Sequence, residues 1–257
     1  CFNSFLNNNI HVEGIKDIDK EDINYANTLG YKIKLLGFSE LIKNRIYQRV
    51  HPTLIKKTSH VASIDGVLNA IIIDPGMYHP EENAQFFEFI NSHQLKPRRL
   101  LLTHAHLDHV FGVNWINKTF GLTPEIHFDD QIVYDSAVVV AKQYGLNMNQ
   151  LVPSNISLIH NQVFKFGGSE FRIIHTPGHS PGSVCFRNDN ERYVISGDVL
   201  FQGSIGRTDL PGGDFNVIIR SINEHIINLA EDTIVYSGHG PVTTVGQEKI
   251  SNPFLQA

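Results

Sequence analysis

The densest group of potentially reactive side chains in this sequence lies between residues 103 and 109, in the run Thr-His-Ala-His-Leu-Asp-His. Four of these seven residues can bind a metal ion: His104, His106, Asp108 and His109. Neutral imidazole and carboxylate are the ligands that borderline divalent cations such as zinc prefer. We therefore predict a metal site here, and we favour it over a group of solvated or hydrogen-bonded histidines.

Three further positions share one pattern, in which a ligand-type residue follows a predicted strand and is flanked by glycine. They are His179 in Thr-Pro-Gly-His-Ser-Pro-Gly (176–182), Asp198 in Ser-Gly-Asp (196–198) and His239 in Ser-Gly-His-Gly-Pro (237–241). Taken singly, each is as readily a residue of a surface turn. Because functional groups concentrate at the carboxyl ends of strands, the shared context favours a functional interpretation. Tyr144, His127 and His175 are predicted to be packing or surface residues, and the remaining histidines have no ligand-like context.

The elements that must position these residues can be predicted from hydrophobic periodicity and from turn and cap residues. Helices are predicted at 19–30, 80–91, 108–121, 129–144 and 214–230, and the apolar stripe of the last helix is core. Strands are predicted at 31–38, 45–55, 67–73, 99–103, 163–166, 170–175, 183–187, 193–196 and 233–236. A β-rich, then α/β-rich, then β-rich order indicates a layered αββα architecture.

Composition limits the function classes. The chain has 257 residues, of which 41% are hydrophobic and 18% charged, as in a globular protein with a sizeable core. A net charge of -5 offers no basic field for a phosphate backbone, so we expect no nucleic-acid partner. No apolar run approaches the ~18–20 residues that cross a bilayer, so we expect no membrane partner and a cytoplasmic location. The two cysteines, Cys1 and Cys185, predict no disulfide framework.

On these motifs, residues 72–257 resemble the metallo-β-lactamase superfamily, and within it the glyoxalase II-like hydrolases. Residues 200–214 and the tail Asn252-Pro253-Phe254 are also similar to small single-domain members of that group. The resemblance implies an α/β protein with the four-layer αββα metallo-β-lactamase fold. It also implies two metal ions, one held by His104, His106 and His179 and the other by Asp108, His109 and His239, with Asp198 as the bridge.

The resemblance further implies a metal-dependent hydrolase that cleaves a small-molecule hydroxyacyl thioester, or a related acyl ester, with a metal-bridging hydroxide. The expected cofactor is two Zn²⁺, with iron or manganese as alternatives. Two adjacent cations lower the pKa of a water molecule and stabilise the oxyanion that forms. Asp108 and Asp198 are the predicted catalytic residues, Asp108 because it would orient the hydroxide. Thr103 or Ser237 could fix imidazole tautomers.

Arg207 follows the predicted bridging carboxylate closely, and we predict that it binds a substrate carboxylate or phosphate. An ion pair with Asp209 or Asp214 is an equally supported alternative.

Two other functions compete with hydrolysis. Persulfide dioxygenases resemble this group, share a Gly-Arg-Thr-Asp segment like 206–209, and use a single iron. A catalytically inactive fusion that keeps only its metal ligands is the second alternative. Asp198 speaks against antibiotic hydrolysis, because one major lactamase class has cysteine there and another has no bridging ligand.

The first 71 residues differ from the family, and they resemble part of the catalytic domain of homoserine dehydrogenase. The resemblance is carried by segments at 11–18, 29–36, 49–54 and 62–70. No glycine-rich dinucleotide turn is present there, so dehydrogenase activity is not implied. We predict a chimera of an α+β segment (1–71) and a hydrolase domain (72–257), joined within a strand at about 70–74. Strands 31–38 and 45–55 would substitute for the usual first strands of the family.

Overall fold

The computed structural model describes residues 31–33, 44–50, 58–64 and 69–256, and these form two β-sheets with helices packed against them. The helix predicted at 19–30, and parts of the strands predicted at 31–38 and 45–55, lie outside the described residues.

The first sheet has seven strands in sequence order. They are β1 (Tyr31–Ile33), β2 (Asn44–Val50), β3 (Thr58–Ile64), β4 (Asn69–Ile73), β5 (Lys96–Leu101), β6 (Pro124–Ile126) and β7 (Asn155–Ile156). Strands β1 to β4 pair antiparallel, and β4 to β7 pair parallel. The N-terminal segment thus extends the sheet beyond β4.

The second sheet has six strands in the order β15-β14-β11-β10-β9-β8. They are β8 (Val163–Phe166), β9 (Ser169–His175), β10 (Val184–Asn188), β11 (Tyr193–Gly197), β14 (Ile234–Ser237) and β15 (Thr243–Thr244). Between β11 and β14 the chain forms a short hairpin of β12 (Leu200–Phe201) and β13 (Ser204–Ile205).

The helices are α1 (Pro80–Ser92), α2 (Leu107–Val110), α3 (Val113–Phe120), α4 (Gln131–Gln143), α5 (Phe215–His225) and α6 (Val245–Ser251), with single 3₁₀ turns at Phe128–Asp130 and Pro253–Leu255. The single helix predicted at 108–121 is two helices, and the break lies at Gly112. Its backbone N–H donates to the carbonyl oxygen of Pro75 at 2.6 Å, and a Cβ at this position would overlap that oxygen. The helix predicted to reach residue 230 ends at His225.

Three hydrophobic cores separate these layers, and strand alternation decides which core each side chain joins. In β4, Ala70 and Ile72 face the core shared with α1, α3 and α4, whereas Ile71 and Ile73 face the core between the sheets. Across the second sheet, alternate residues of β9, β10, β11 and β14 pack against α5 and α6. Helix, sheet, sheet and helix layers therefore follow in order, which confirms the predicted αββα fold.

Among the residues that the structure describes, no helix is both long and apolar enough to span a bilayer.

Candidate metal centre

The seven predicted ligands lie at one edge of the two sheets because of how the strands run. Strands β9, β11 and β14 point the same way, since β9 and β11 are each antiparallel to β10 and β14 is parallel to β11. Their carboxyl ends, followed by His179, Asp198 and His239, therefore share an edge. The backbone N–H of Val184 donates to the carbonyl oxygen of Thr103 at 2.8 Å, which brings the loop after β5 to the same edge.

The first ligand group consists of His104, His106 and His179. The Nε2 atom of His179 lies 2.9 Å from Nδ1 of His106 and 3.1 Å from Nε2 of His104. His179 donates its Nδ1–H to the carbonyl oxygen of Arg207 at 2.8 Å, and this leaves a lone pair on Nε2. Nitrogen ligands of tetrahedral zinc lie about 3.3 Å apart, because each Zn–N bond is about 2.0–2.1 Å. The spacing of the three imidazoles suits such an ion.

The second group consists of Asp108, His109 and His239. Oδ2 of Asp108 lies 2.9 Å from Nε2 of His239 and 3.7 Å from Nε2 of His109. The ring of His109 is 4.0 Å from that of His104, so the two groups are neighbours. Asp108 and His239 keep 30% and 26% of their side chains exposed, whereas His109 keeps 1%. The exposed side of this group leaves room for a small molecule to approach.

Asp198 lies between the two groups. Its Oδ1 is 3.4 Å from Nε2 of His109, and its Oδ2 is 3.3 Å from Nε2 of His239 and 3.7 Å from Nε2 of His179. One carboxylate therefore faces imidazoles of both groups. The distances from Asp198 to these imidazoles cannot be seen in the sequence, because the residues come together only in the folded chain.

The neighbouring Gly238 is required by this close packing. A Cβ at this position would overlap Oδ1 of Asp198. The glycine before His239 thus has a physical reason, which is the close approach of the loop after β14 to the carboxylate.

Asp74 is a supporting residue that the sequence analysis did not identify. It is fully buried at the end of β4, and it accepts hydrogen bonds from the backbone N–H (2.7 Å) and hydroxyl (2.6 Å) of Thr103. Its Oδ2 also lies 3.1 Å from Nδ1 of His109. Thr103 in turn places its hydroxyl 3.1 Å from Nδ1 of His104. Asp74 therefore orients one imidazole of each group, directly or through Thr103.

Asp130 is a second supporting residue that was missed, because its sequence context is that of a helix cap. This buried carboxylate accepts hydrogen bonds from the backbone N–H groups of Ala105 (2.5 Å) and Gly182 (2.8 Å) and from the hydroxyl of Ser180. It therefore ties the loop that carries His104 and His106 to the turn that carries His179.

Two imidazoles of the first group, His104 and His106, are electrically neutral in the metal-free protein. Burial, with the neighbouring His179, lowers the pKa of His106 to about 3. Burial and the nearby histidines hold the pKa of His104 well below its usual value. Since a cation binds only the unprotonated ring, these two ligands are ready to bind at neutral pH.

The second group holds protons instead. Burial opposes the charge on His239, yet hydrogen bonds with Asp108 and Asp198 raise its pKa to about 9. Burial also opposes the charge on His109, and the carboxylates around it, Asp198 first, raise its pKa well above the usual value. The pKa of Asp198 is held well below its usual range despite burial, chiefly by His109.

The donor set fits a pair of divalent cations. Nε2 of His109 and Oδ1 of Asp198 are buried and lie 3.4 Å from each other, and neither makes a well-formed hydrogen bond within the described part of the chain. A buried polar atom without a partner is costly, and a bound cation would satisfy both atoms. Five imidazoles and two carboxylates are also the ligand types that zinc and iron bind.

The backbone of Arg207, rather than its side chain, contacts this cluster. The guanidinium makes two hydrogen bonds of 2.7 Å to the carboxylate of Asp209, which is the ion pair that the sequence left as an alternative. Both side chains are mostly exposed. Its predicted contact with substrate stays a prediction, whereas its carbonyl oxygen fixes the tautomer of His179.

Comparisons with known proteins agree with this geometry. The family model of the metallo-beta-lactamase superfamily matches residues 64–239, and that of homoserine dehydrogenase matches residues 3–84. Hydroxyacylglutathione hydrolase GloC of Haemophilus influenzae is 40% identical over 197 residues, covering 75% of this chain and 90% of that protein. Probable metallo-hydrolase YqgX of Bacillus subtilis is 36% identical over 190 residues, which cover 72% of this chain and 86% of that protein.

Solved structures are also similar. The crystal structure of BLEG-1 B3 metallo-beta-lactamase has a TM-score of 0.74 at 37% identity, covering 82% of this chain and 100% of that one. The crystal structure of TTHA1623 in a di-iron-bound form has a TM-score of 0.66 at 32% identity, and the match covers 87% of this chain and 99% of that one. By its family match, its relatives and its αββα fold, this chain belongs to the metallo-β-lactamase superfamily of metal-binding hydrolases.

Proposed function

We propose that this protein is a dinuclear metallo-hydrolase that cleaves a hydroxyacyl thioester, or a related acyl ester, at the seven-residue centre. The observation that carries the proposal is the position of Asp198, whose two oxygens face imidazoles of both ligand groups. A single cation would leave one of the two groups unused. The 40% identity to a hydroxyacylglutathione hydrolase supports the thioester as substrate class.

In this proposal His104, His106 and His179 hold one cation, Asp108, His109 and His239 hold the other, and Asp198 is shared. The metal pair, when bound, supplies hydroxide near neutral pH and stabilises the negative charge that develops on the substrate oxygen. Asp108, which is partly exposed and 2.9 Å from Nε2 of His239, would orient the attacking hydroxide. Arg207 would fix His179 through its carbonyl oxygen and could meet a substrate carboxylate if its pair with Asp209 opens.

A thioester suits this centre for a chemical reason. A thiol has a pKa of about 8.5, so a thiolate leaves without a strong general acid. An amide nitrogen needs a proton before it leaves. We therefore propose thioesters, rather than ordinary amides, as the substrates of this centre.

The similarity to a B3 metallo-beta-lactamase at 37% identity favours hydrolysis of a β-lactam as a second candidate function, whereas the aspartate at position 198 argues against it. Ring strain makes that amide more reactive than an ordinary one. The single-iron dioxygenase alternative has less support, since it rests on the Gly-Arg-Thr-Asp segment at 206–209.

The test is metal analysis paired with a substrate panel on the purified full chain. We expect about two zinc or iron ions per chain and turnover of a hydroxyacylglutathione thioester that exceeds turnover of a chromogenic cephalosporin. Asp198→Asn should lower thioester turnover at least ~100-fold and lower the metal content, because it weakens a shared ligand. The matched control Asp232→Asn changes an exposed carboxylate that forms an ion pair with Arg192. It should leave thioester turnover and metal content unchanged.

Other outcomes separate the alternatives. One iron per chain with oxygen uptake would favour the dioxygenase, and stoichiometric metal without turnover of any substrate would favour the inactive fusion. Full activity of Asp198→Asn would contradict the proposal.

A further inference from the structure

The hairpin of β12 and β13 connects the bridging carboxylate of the metal centre to the segment that carries Arg207. The hairpin begins two residues after Asp198 and ends directly before Gly206. The backbone N–H of Gly206 donates to the carbonyl oxygen of Val199 at 3.2 Å, and a Cβ at Gly206 would overlap the carbonyl oxygen of Asp198. The end of the hairpin therefore packs directly on the backbone of the bridging residue.

Two residues of this connection also contact metal ligands, one in each ligand group. The carbonyl oxygen of Arg207 accepts the Nδ1–H of His179 at 2.8 Å. The ring centroid of Phe201 lies 6.2 Å from that of His239, with the ring planes 72° apart. A displacement of the hairpin would therefore disturb one imidazole of each group as well as Asp198.

The tip of the hairpin is held by residues that follow β14. Glu248 in α6 is buried, and its Oε2 accepts the backbone N–H of Gly203 at 2.8 Å. Asn252, which is also buried, donates from Nδ2 to the carbonyl oxygen of Ser204 at 3.0 Å and to Oε2 of Glu248 at 2.8 Å. The hydroxyl of Thr243 donates to Oε1 of Glu248. One carboxylate and one amide thus bind two backbone groups of the hairpin.

The carboxylate of Glu248 is not needed to form α6. Thr244 caps this helix, because its hydroxyl oxygen accepts the backbone N–H of Gln247 at 3.2 Å. Burying a carboxylate is costly even when it is hydrogen-bonded, and an apolar residue at position 248 would avoid that cost. What the polar pair adds is direction, because hydrogen bonds fix the distance and orientation of the groups that they join.

We propose that Glu248 and Asn252 are positioning residues of the metal centre. Through the hairpin they hold the carbonyl oxygen of Arg207 against His179 and the end of the hairpin against Asp198. Groups that orient the ligands of a metal ion change its affinity although they do not contact the ion. The proposal rests on the proposed function only in that the centre binds metal, and it does not depend on which substrate is cleaved.

The test compares two variants of Glu248 on the full chain. Glu248→Ala removes both acceptor oxygens and so releases the hairpin tip. Glu248→Gln is the conservative variant, because its N–H₂ group can face Thr243, whose hydroxyl can accept instead of donate. The carbonyl oxygen of the glutamine then still accepts from Gly203 and Asn252. Glu248→Gln should therefore keep the hairpin in place.

Ile90→Ala is the matched control for stability. Ile90 is buried in the core that α1 shares with the first sheet, whereas Leu200 and Ile205 of the hairpin pack in the core on the other side of the second sheet. Truncation of a buried isoleucine lowers stability, and at this position it leaves the hairpin contacts intact.

Two readouts are taken at a temperature where circular dichroism shows every variant to be folded. Nitrogen-15 NMR of metal-free protein with labelled histidine detects the Nδ1–H of His179, assigned by its loss in His179→Gln. Competition with a chelator measures the affinity of the chain for zinc. In Glu248→Ala the Nδ1–H of His179 should exchange with water at least ~10-fold faster, and zinc affinity should fall about tenfold. Glu248→Gln and Ile90→Ala should match wild type in both readouts.

Wild-type proton exchange and wild-type zinc affinity in folded Glu248→Ala would overturn the proposal, since Glu248 would then only stabilise the fold. An equal loss in Ile90→Ala would also overturn it, because general destabilisation would explain the effect. If Glu248→Ala does not fold, Asn252→Ala replaces it. This variant keeps the bond between Glu248 and Gly203, and it should show the same changes to a smaller degree; wild-type values in both readouts would overturn the proposal.

Neither readout uses a substrate. A chain that binds zinc and responds to Glu248→Ala as described, but cleaves no thioester, would contradict the proposed function alone. The two proposals therefore fail separately.

Discussion

At the scale of the residue, the protein places six ligand-type side chains around the carboxylate of Asp198, and all seven of these residues were predicted from the sequence. The four residues between 104 and 109 were predictable because they cluster directly after a strand, and the other three because each follows a strand end and is flanked by glycine. Asp74 and Asp130 could not be predicted in the same way, since their function is to accept hydrogen bonds from loops that are distant in sequence. The sequence did not decide the role of the Arg207 side chain, because an ion pair with a nearby carboxylate and a contact with substrate are equally compatible with its sequence context.

The pKa differences between the two ligand groups predict ordered loading of the metal-free protein. His106, with a pKa of about 3, and His104, whose pKa is also lowered, carry no proton to displace at pH 7. His239, with a pKa of about 9, and His109, whose pKa is raised, each hold one. The affinity of the second group should therefore rise with pH toward about 9, whereas proton competition is negligible at His106 from pH 5 to 9 and weakened at His104.

Calorimetric zinc titration in buffers of different ionisation enthalpy measures the protons released with each equivalent. At pH 7, binding of the first zinc equivalent should release fewer protons than binding of the second. Acidification to pH 6 should lower the affinity for the second zinc equivalent more than the affinity for the first. Equal release by both equivalents at pH 7, or a first equivalent with the steeper pH dependence, would contradict the assignment.

At the scale of the element, the helices and strands predicted within residues 69–256 are present, because apolar alternation and turn residues are strong there. The short strands β6, β7, β12, β13 and β15 and the helix α6 were not predicted. The break between α2 and α3 was missed for a physical reason. Gly112 packs against the backbone of Pro75, and that contact depends on tertiary structure rather than on helix propensity. The early end of α5 has no equally specific sequence signal, since apolar residues continue to Leu229.

The two loops that bear the first ligand group depend on Asp130, which leads to a prediction about Asp130→Asn. The amide would turn an N–H₂ group toward N–H and O–H donors, leaving at least one buried group unsatisfied at a cost of about 1–3 kcal/mol. We expect lower stability in chemical denaturation and weaker zinc binding, although every ligand residue is retained. The control is Asp135→Asn, which changes an exposed carboxylate that accepts a hydrogen bond from the side chain of Gln131. Wild-type stability and wild-type zinc affinity of Asp130→Asn would show that the two loops hold their positions without this carboxylate.

At the scale of the whole molecule, the chain combines a metallo-β-lactamase domain with an N-terminal segment that resembles a different family. In the structure, β1 to β3 continue the first sheet next to β4, with His60 opposite Ile73 and Ser63 opposite Ala70. The boundary at about residue 71 stays a prediction. The αββα layering could be predicted from the order of elements, whereas the pairing of β3 with β4 could not, since two unrelated sequence patterns meet there.

If β3 pairs with β4 as described, its amide hydrogens should exchange slowly with solvent. Hydrogen-exchange mass spectrometry should find the paired amides in 60–63 protected at least ~100-fold relative to an unstructured peptide. The short edge strand β7, whose two residues are exposed, serves as an internal reference and should exchange faster. Unprotected exchange throughout 58–64 would mean that the N-terminal segment does not complete the sheet, and it would favour a hydrolase domain that folds without it.

The central claim, that Asp198 is shared by two cations, is tested most directly by anomalous X-ray scattering from crystals grown with zinc. We predict two strong peaks at the seven-residue centre, one bounded by His104, His106 and His179 and the other by Asp108, His109 and His239, with one Asp198 oxygen nearest to each or one oxygen between them. A single peak, or a pair of peaks of which only one contacts Asp198, would contradict it.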